Sequence, residues 1–325
     1  MDLFESLKQK VSQSPKTIVF PEGTDERIIT AASRLASDGI VKPILLGNPY
    51  DVHQVADQLG LTLDDVAIFD YQNLAEDTLA EYVDALVERR NGKTDAETAQ
   101  KWLTDPNYFG TMMVYMDKAD GMVSGAAHPT GDTVRPALQI IKTKPGIKLV
   151  SGSFIMLKGD QRYVFADCAI NLTLDAEGMA DVAIESAATA KQFGIDPKIA
   201  MLSFSTKGSA KGPMVKKVQE ATELVHEKQP DLVVDGELQF DAAFVPSVGE
   251  QKAPGSKVAG QANVFVFPEL QSGNIGYKIA QRFGGFEALG PILQGLNKPV
   301  SDLSRGCNAE DVYKVAIINA LQATE

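Results

Sequence analysis

The chain of 325 residues is poor in the residues that build disulfide frameworks and zinc sites. It contains two cysteines and three histidines. Cys168 and Cys307 are isolated and give no disulfide framework, and the spacing of His53, His128 and His226 fits no zinc signature. The chain also lacks the roughly 18 consecutive apolar residues of a membrane-spanning helix, so no such helix is predicted.

Positive charge is scarce as well. The 31 lysines and arginines face 43 aspartates and glutamates, which gives a formal net charge of −12. A chain this acidic is a poor general binder of nucleic acid or of anionic membranes, although a local basic cleft is compatible with it. We therefore expect neither nucleic acid nor a membrane among its partners.

No targeting signal is evident at the N-terminus. Residues 1–14 mix charged and apolar side chains without the apolar stretch of a secretory signal, so a cytoplasmic location is predicted. Apolar residues make up 44% and charged residues 23%, which is ordinary for a soluble globular protein. The length exceeds the usual size of one hydrophobic core, so we expect two domains.

Two nucleotide-binding signatures are missing. Gly92-Lys93-Thr94 resembles the end of a phosphate-binding P-loop, but Val87 stands where the motif requires its first glycine. No Gly-x-Gly-x-x-Gly motif follows a predicted strand, so a nicotinamide-binding fingerprint is absent too.

Short apolar segments alternate with longer segments of helical pattern along the whole chain. Strands are predicted at 17–20, 41–46, 67–69, 121–124, 148–151, 154–157, 163–166, 199–204, 232–235 and 263–267. Helices are predicted at 28–37, 79–90, 95–103, 176–193, 215–228, 275–283 and 309–321. This alternation predicts an α/β protein with mainly parallel sheets.

Two polar, turn-rich segments mark a domain boundary. Residues 142–146 lie near the middle of the chain, and residues 295–299 precede the C-terminal helix. We expect residues 1–145 plus 298–325 to form a first α/β domain, and residues 146–297 to form a second.

The segment Asp302–Asp311 carries the most chemistry. Ser304, Arg305, Cys307 and Asp311 fall within eight positions, just before an apolar helical pattern. Helix N-termini attract anions because their first amides have no partner and the helix dipole is positive there. A guanidinium adds a planar fork that matches phosphate or carboxylate. The segment therefore predicts an anion site with a possible base beside it.

Each of these side chains also has a structural interpretation. Asn308-x-x-Asp311 fits a reciprocal helix cap, and spacing alone favours Asp311 as a cap, with Arg305 as its ion partner. Cys307 has no histidine nearby in sequence to activate it, so it is expected to be a buried packing residue rather than a nucleophile.

Three further loops are candidates. Ser203–Gly212 follows a predicted strand with hydroxyls, glycines and lysines, which suits an anion-binding loop as well as it suits an ordinary solvated one. His128–Pro136 follows another strand and is expected to present Arg135 near the start of a helix. Ser272 and Asn274, after the strongest predicted strand, either cap the next helix or contact a ligand.

Eight segments occur together in a combination that is far more specific than any one of them. They are Phe20–Gly23, Asp120–Ala126, Arg135–Gln139, Phe165–Ala169, Ser203–Lys207, Phe267-Pro268, Gly273–Lys278 and Leu303–Asp311. On these segments the whole chain resembles the phosphate acetyltransferases (phosphotransacetylases) of the short bacterial type. The resemblance implies two α/β domains with an interdomain cleft, a fold similar to that of isocitrate and isopropylmalate dehydrogenases, and a homodimer that assembles through the second domain.

The resemblance also implies an activity, the reversible reaction of acetyl-CoA and phosphate to give CoA and acetyl phosphate. CoA, acetyl phosphate and phosphate are then substrates, with no permanently bound cofactor and no metal. By the family's motif, Asp311 is the general base for the CoA thiol, Arg305 binds phosphate, and Ser304 donates a hydrogen bond to the transition state.

Other residues acquire binding roles in the same way. Arg135 resembles an arginine that contacts CoA, and a second such arginine is either Arg89 or Arg90. The phosphate or acetyl phosphate site is expected to include the following side chains in addition to Ser304 and Arg305: Ser205, Thr206, Lys207 and Asn274.

Alternatives remain beside this interpretation. Direct transfer in a ternary complex competes with a covalent acetyl carrier at Cys307. Phosphate butyryltransferase differs by the size of the acyl pocket, which the sequence does not reveal. A decarboxylating dehydrogenase would need metal-binding aspartates and a nucleotide site that are not found, and a non-catalytic CoA sensor fits poorly with an intact Ser304, Arg305 and Asp311.

Overall fold

The computed structural model describes residues 3–324, which form two compact units. Unit 1 contains the chain up to Lys144 together with the residues from Leu296 onwards, and unit 2 runs from Pro145 to Gly295. The chain therefore leaves the first unit and returns to it at the end.

Strands and helices alternate through both units. The strands are β1 (Lys16–Phe20), β2 (Val41–Leu46), β3 (Ala67–Phe69), β4 (Gly121–Ser124), β5 (Ser151–Lys158), β6 (Gln161–Ala166), β7 (Lys198–Leu202), β8 (Val233–Leu238), β9 (Val264–Val266), β10 (Glu287–Gln294) and β11 (Val300–Asp302). The helices are α1 (Leu3–Ser12), α2 (Glu26–Ser37), α3 (Pro49–Leu59), α4 (Glu76–Arg90), α5 (Ala96–Trp102), α6 (Pro106–Tyr115), α7 (Thr130–Pro136), α8 (Ala176–Gln192), α9 (Pro213–Lys228), α10 (Phe240–Phe244), α11 (Pro246–Lys252), α12 (Leu270–Arg282) and α13 (Ala309–Gln322). A π-helical turn, Ala137–Ile141, continues α7.

Unit 1 has a five-stranded sheet in the order β11-β4-β1-β2-β3, and every pairing in it is parallel. The chain adds strands on one side of β1 and then crosses to the other side at β4. The loops after β1 and β4 therefore meet at the carboxyl edge, which is where open α/β sheets bind their ligands. The carboxyl half of β1 is fully buried, as expected for a central parallel strand.

Polar side chains fix where the helices of unit 1 begin. Asp25, Asn48, Asp95, Asp105 and Asn308 each accept a hydrogen bond from an amide in the first turn of the helix that follows. These caps satisfy amides that would otherwise have no partner, and each is typically worth about 1 kcal/mol.

Unit 2 has a six-stranded sheet in the order β10-β5-β6-β9-β7-β8. The four strands β6, β9, β7 and β8 are parallel to one another, whereas β5 pairs antiparallel with both β6 and β10. Its core is rich in aromatic side chains, with Phe165 in ring contact with both Phe265 and Phe267. The prediction of an α/β protein with mainly parallel sheets is confirmed.

The sequence located most elements but not all of them. Predicted strands 41–46, 67–69 and 121–124 have the observed bounds. The strand predicted at 154–157 lies within β5, whereas the one predicted at 148–151 is wrong except for Ser151, where β5 begins. The helices α1, α3, α6, α10 and α11 were not predicted, nor were β10 and β11. Helix α6 is buried on nearly all sides, so its sequence shows no amphipathic pattern.

Two expectations about helix ends were wrong. Arg135 lies in the last turn of α7 rather than at the start of a helix. Helix α12 begins at Leu270 and is capped by the Glu269 side chain, so neither Ser272 nor Asn274 is the cap. Within residues 3–324, every helix is too short or too polar to cross a lipid bilayer.

Candidate active site

Ser304 and Arg305 lie on the loop between β11 and α13, and both side chains are exposed. The Ser304 hydroxyl accepts a 3.2 Å hydrogen bond from the amide of Gly306, so its own proton is available to a ligand. The Arg305 carbonyl accepts a 2.8 Å bond from the guanidinium of Arg27. Within residues 3–324, the guanidinium of Arg305 itself has no hydrogen-bond or ion-pair partner. This loop therefore offers a hydroxyl and a cation to solvent.

Asp311 is in the first turn of α13 and forms a capping box with Asn308. The Asn308 Oδ1 accepts from the amide of Asp311 at 2.9 Å, and the Asp311 Oδ2 accepts from the amide of Asn308 at 3.0 Å. The predicted cap is confirmed, whereas the predicted ion pair between Arg305 and Asp311 is wrong, since the described residues show none. A carboxylate has two oxygens with about four lone-pair sites, so the cap leaves Oδ1 able to take a proton.

A buried carboxylate, Glu22, organises the loop after β4. Its Oε2 accepts from the amides of Gly125 (3.1 Å) and Ala126 (2.8 Å), and its Oε1 accepts from those of Ala127 (2.7 Å) and His128 (3.0 Å). The Nδ1 of His128 lies 2.7 Å from the same Oε1. Hydrogen bonds to both oxygens offset the cost of burying this carboxylate, and they fix the backbone that leads into α7.

Asp302 is the last residue of β11 and is 2% exposed. Its Oδ2 accepts a 2.7 Å hydrogen bond from the Thr130 hydroxyl, and within the described chain its buried Oδ1 has no partner. Burial raises the pKa of Asp302 to about 6, against the opposing effect of the Thr130 bond. The group therefore changes charge just below neutral pH, two residues before Ser304.

Arg89 and Arg90 end α4 and face the π-helical turn. Arg89 donates from Nε to the carbonyl of Ile140 (2.5 Å) and from Nη2 to that of Ile141 (2.9 Å). Arg90 donates from Nη1 to the carbonyl of Gln139 (3.2 Å), while its buried Nε has no partner in residues 3–324. Both arginines donate to carbonyls of the π-helical turn. Arg89 uses two of its nitrogens for this and Arg90 uses one, so more of the N–H groups of Arg90 remain free.

Positive charge is concentrated around these arginines. Repulsion from Arg89, together with burial and other nearby cations including Arg90, lowers the pKa of Lys142. Burial raises the pKa of Tyr108, and the charges of Arg135 and Arg90 act against that rise. We call Arg89, Arg90, Arg135 and Lys142 the basic patch; it is a local cationic surface on an acidic chain.

Comparisons with known proteins cover almost the whole chain. The family model described as phosphate acetyl/butaryl transferase matches residues 2–320. The phosphate acetyltransferase of Bacillus subtilis is 60% identical over 322 residues, which is 99% of each chain. This chain belongs to the phosphate acetyl/butaryl transferase family. A solved phosphotransacetylase from Streptococcus pyogenes is 59% identical and superimposes with a TM-score of 0.97, covering 99% of this chain and 98% of that one.

The likeness in fold extends beyond the transferase family. A 4-hydroxythreonine-4-phosphate dehydrogenase from Burkholderia phymatum superimposes with a TM-score of 0.55 at 12% identity, over 95% of this chain and 98% of that one. At that identity the likeness concerns the fold alone. It agrees with the expected dehydrogenase-like architecture of two α/β domains.

In unit 2 of this transferase-family chain, Ser205 and Thr206 lie on the loop after β7 and are buried. The Ser205 hydroxyl donates to Glu237 Oε1 at 2.9 Å, and the Thr206 hydroxyl donates to Gln239 Oε1 at 3.1 Å. Burial pushes the pKa of Glu237 upwards, but hydrogen bonds, among them that from Ser205, outweigh it and lower the pKa. Both hydroxyl protons are therefore engaged within the unit.

Lys207 and Asn274, the other expected phosphate ligands of unit 2, also have protein partners. The Lys207 ammonium forms an ion pair with Asp235 and donates to the carbonyl of Gly236 at 3.0 Å. The Asn274 Nδ2 donates to the carbonyl of Cys168 at 3.1 Å. A ligand would have to compete with these contacts or use the remaining donors.

The two cysteines are buried. Burial raises the pKa of Cys307, while the charge of Arg27 acts in the opposite direction. Burial also raises the pKa of Cys168. A thiol with a raised pKa is a poor nucleophile, which agrees with the expectation that Cys307 is a packing residue. In the described part of the chain, no group of three or more histidine, cysteine or acidic side chains is arranged to hold a metal ion.

Sequence reasoning did not assign a role to Glu22, Arg27 or Asp302. Glu22 lies in the Pro-Glu-Gly turn after β1, where a carboxylate between two turn residues at a strand end is the only signal. The bonds of Arg27 to Ala126 and Arg305, and of Asp302 to Thr130, join residues more than 90 positions apart, and no local pattern reports such contacts.

Proposed function

We propose that this chain catalyses the reversible transfer of acetyl between CoA and phosphate by direct attack of the CoA thiolate on acetyl phosphate in a ternary complex. The observation that carries the proposal is the loop 304–311, where an exposed hydroxyl and an exposed guanidinium precede a rigidly capped carboxylate. Full-length identity of 60% to a phosphate acetyltransferase supports the same activity.

Asp311 is the proposed general base. A free thiol has a pKa near 8.5, so only a few per cent of CoA is thiolate at neutral pH. A carboxylate within hydrogen-bond reach can take the proton as the sulfur attacks, which typically contributes about 10²–10⁴-fold to a rate. The capping box holds Asp311 through Oδ2, so Oδ1 is presented from a fixed position.

Ser304 and Arg305 are proposed to stabilise the charges that develop during transfer. The carbonyl of acetyl phosphate becomes an oxyanion, and the unengaged proton of the Ser304 hydroxyl can bond to it; one such donor is typically worth about 3–4 kcal/mol. Phosphate leaves as a multiply charged anion. The free guanidinium of Arg305 suits that anion because its planar fork forms paired hydrogen bonds.

The basic patch is the proposed site for the phosphates of CoA. Arg135 is exposed on α7, and its charge acts on Tyr108 together with that of Arg90. Of the two arginines that end α4, Arg90 is the better candidate for CoA, because Arg89 donates to carbonyls from both Nε and Nη2 whereas Arg90 does so from Nη1 alone. The patch reconciles a phosphate-rich substrate with a net charge of −12.

Ser205, Thr206, Lys207 and Asn274 remain proposed secondary ligands of phosphate. Each already has a partner within unit 2, so phosphate would gain only the difference between two sets of hydrogen bonds. We therefore assign the larger share of phosphate binding to Arg305. CoA and phosphate act as substrates, and no permanently bound cofactor is part of the proposal.

Asp311→Asn is the test of the mechanism, because the amide oxygen can still accept the capping bond from Asn308. We expect kcat to fall by about 10²–10⁴-fold, with the KM for CoA close to that of the wild type. The matched control is Cys307→Ala, which should keep most of the activity. Near-normal turnover in Asp311→Asn would remove the base assignment, and loss of activity in Cys307→Ala would favour a covalent acetyl carrier.

The acyl preference has its own test, because the family includes acetyl and butyryl enzymes. Rates with acetyl-CoA and butyryl-CoA in competition, followed by release of CoA, would distinguish the two. We expect acetyl-CoA to react faster, and a preference for butyryl-CoA would change the assigned substrate.

We further propose a cytoplasmic homodimer that assembles through unit 2. The Phe283 side chain is 91% exposed, and Ile275, Ile279 and Phe240 are exposed in the same unit. Phe283, Ile279 and Phe240 line an apolar cavity of about 470 Å³ whose other walls are largely aromatic. Contiguous apolar surface of this kind is typical of protein interfaces, and a second copy is the simplest occupant. The mass in solution should be that of a dimer, and Phe283→Asp should shift it towards the monomer.

A further inference from the structure

Arg27, in the first turn of α2, uses all five of its guanidinium N–H groups. Nε and Nη2 donate to the two oxygens of Asp25 at 2.9 and 2.7 Å. Nη2 also donates to the carbonyl of Ala126 at 2.7 Å. Nη1 donates to the carbonyls of Arg305 (2.8 Å) and Cys307 (3.2 Å). A guanidinium has five such donors in a fixed plane, so none is left for a substrate.

The acceptors belong to three different loops. Asp25 follows β1, Ala126 follows β4, and Arg305 and Cys307 follow β11. These three strands are neighbours in the sheet of unit 1 and parallel to one another. Arg27 therefore ties together the three loops at one part of the carboxyl edge.

The loop with Ser304 and Arg305 has few other long-range anchors of its backbone. Leu303 donates to the carbonyl of Ser124 at 2.7 Å before the loop begins, and the capping box starts after it ends. Between these points, the bonds of Gly306 and Cys307 to Ser304 are local to the loop. In the described part of the chain, the bonds from Arg27 are the long-range hydrogen bonds that hold this stretch of backbone.

We propose that Arg27 is a positioning residue for acyl transfer. It holds the peptide backbone from Arg305 to Cys307, so that the guanidinium of Arg305 and the hydroxyl of Ser304 meet the substrate in the productive geometry. The proposal rests on the roles assigned above to Ser304 and Arg305. Arg27 acts through them and touches no substrate itself.

The residues that hold Arg27 are themselves fixed by hydrogen bonds. Asp25 caps α2 through the same Oδ1 that accepts from Arg27, so the ion pair is fixed to the helix. Ala126, the second anchor, lies in the loop held by the buried carboxylate of Glu22. A lysine has three donors that radiate from one atom and cannot reproduce this planar set.

Displacement of a reacting group by about 1 Å can cost roughly 10²-fold in rate. We therefore expect Arg27→Gln to lower kcat/KM for acetyl phosphate by roughly 10²-fold, with the KM for CoA close to wild type. Arg27→Lys should lie between Arg27→Gln and the wild type. The matched control is Arg34→Gln on the same helix, which loses an ion pair to Glu310 and a stacking contact with Tyr313 but no contact with residues 304–307.

A double-mutant cycle separates positioning from general destabilisation. If Arg27 acts through Arg305, then Arg27→Gln should cost much less in an Arg305→Gln background than in the wild type. Thermal unfolding of every variant is measured alongside, and if Arg27→Gln does not fold, Arg27→Lys replaces it in the cycle.

The outcomes are distinct. Wild-type kinetics in Arg27→Gln and Arg27→Lys, additive effects in the cycle, or an equal loss in Arg34→Gln would each overturn the positioning role. If Arg305→Gln alone leaves the kinetics with acetyl phosphate unchanged, the proposed function of the loop fails instead. If Arg305→Gln lowers kcat/KM for acetyl phosphate and Arg27→Gln does not, only the role of Arg27 is removed.

Discussion

The loop after β11 in unit 1 and the loop after β7 in unit 2 contain similar residue types but make different contacts. Each follows a parallel strand and carries a hydroxyl residue next to a cation: Ser304-Arg305 in one, Thr206-Lys207 in the other. In unit 1 both side chains are exposed and the backbone is held by a distant arginine. In unit 2 the hydroxyl is buried and the cation is paired to Asp235.

The difference shows what makes a polar loop available to a ligand. In unit 2 the side chains of the loop hold the loop itself, so their donors are consumed by its structure. In unit 1 that task falls to Arg27, which lies outside the loop, so the Ser304 proton and the Arg305 guanidinium stay free. The same residue types therefore form a structural loop in one unit and a candidate catalytic loop in the other.

The largest expected effect compares the two cations. Arg305→Gln should lower kcat/KM for acetyl phosphate by about 10²–10³-fold, because a preorganised donor to developing charge is lost. Lys207→Gln should change it only a few-fold, since the ammonium is engaged with Asp235, and should cost at most about 1 kcal/mol in stability. Steady-state kinetics with acetyl phosphate as the varied substrate checks both. Equal losses would abolish the distinction between the two loops.

The next prediction compares how the contributions of two buried carboxylates to folding stability depend on pH. Burial raises the pKa of Asp302 from 3.8 to about 6. Its stabilising contribution is therefore fully present below pH 3.8 and is lost as pH rises through about 6. Relative to wild type, Asp302→Asn should gain stability as pH rises from 3.8 to about 6, by at most about 3 kcal/mol.

Glu237 should behave in the opposite sense. Its pKa is lowered from 4.5 by hydrogen bonds that outweigh burial, so its contribution is present above pH 4.5 and is lost as pH falls through the lower folded-state value. The penalty of Glu237→Gln should therefore be largest at neutral pH and shrink in acid. Chemical unfolding of both variants across this range gives the comparison, and parallel pH profiles would contradict it.

The smallest effect compares two helix caps. Asn308→Ala in unit 1 and Asp175→Ala in unit 2 each remove one side-chain bond to the first turn of a helix and should each cost about 1 kcal/mol. Only Asn308→Ala should also lower kcat, because it removes the side-chain oxygen that accepts a hydrogen bond from the amide of Asp311. Thermal unfolding and turnover measured on the same samples test this. A comparable loss of turnover in Asp175→Ala would show that the effect is not local to Asp311.

Much of the fold was predictable because strands and long amphipathic helices carry their own pattern. The bounds of β2, β3 and β4 follow from short apolar runs between turn residues. Helix α6 was missed because burial on nearly all sides removes the polar face that marks a helix. The start of α7 was misplaced at Arg135, because proline usually signals a helix boundary whereas Pro136 lies inside this helix.

The candidate site was predictable only in part. The capping box of Asn308 and Asp311 is a local pattern, so spacing alone revealed it. The engagement of Ser205, Thr206 and Lys207 was not visible, because their partners at 235–239 lie on the neighbouring strand and the loop that follows it. Local sequence shows which groups are polar, whereas tertiary contacts decide which of them remain free.

The return of the chain to unit 1 has a consequence for synthesis on the ribosome. Strand β11 extends the first sheet, and the buried amide of Asn319 in α13 donates to Met122 in β4 and to Ser301 in β11. Unit 1 thus lacks an edge strand and a covering helix until β11 and α13 have been translated. Unit 2 is continuous in sequence and is complete at Gly295, before either element is made. The domain that begins first along the chain is therefore the one that must finish folding last.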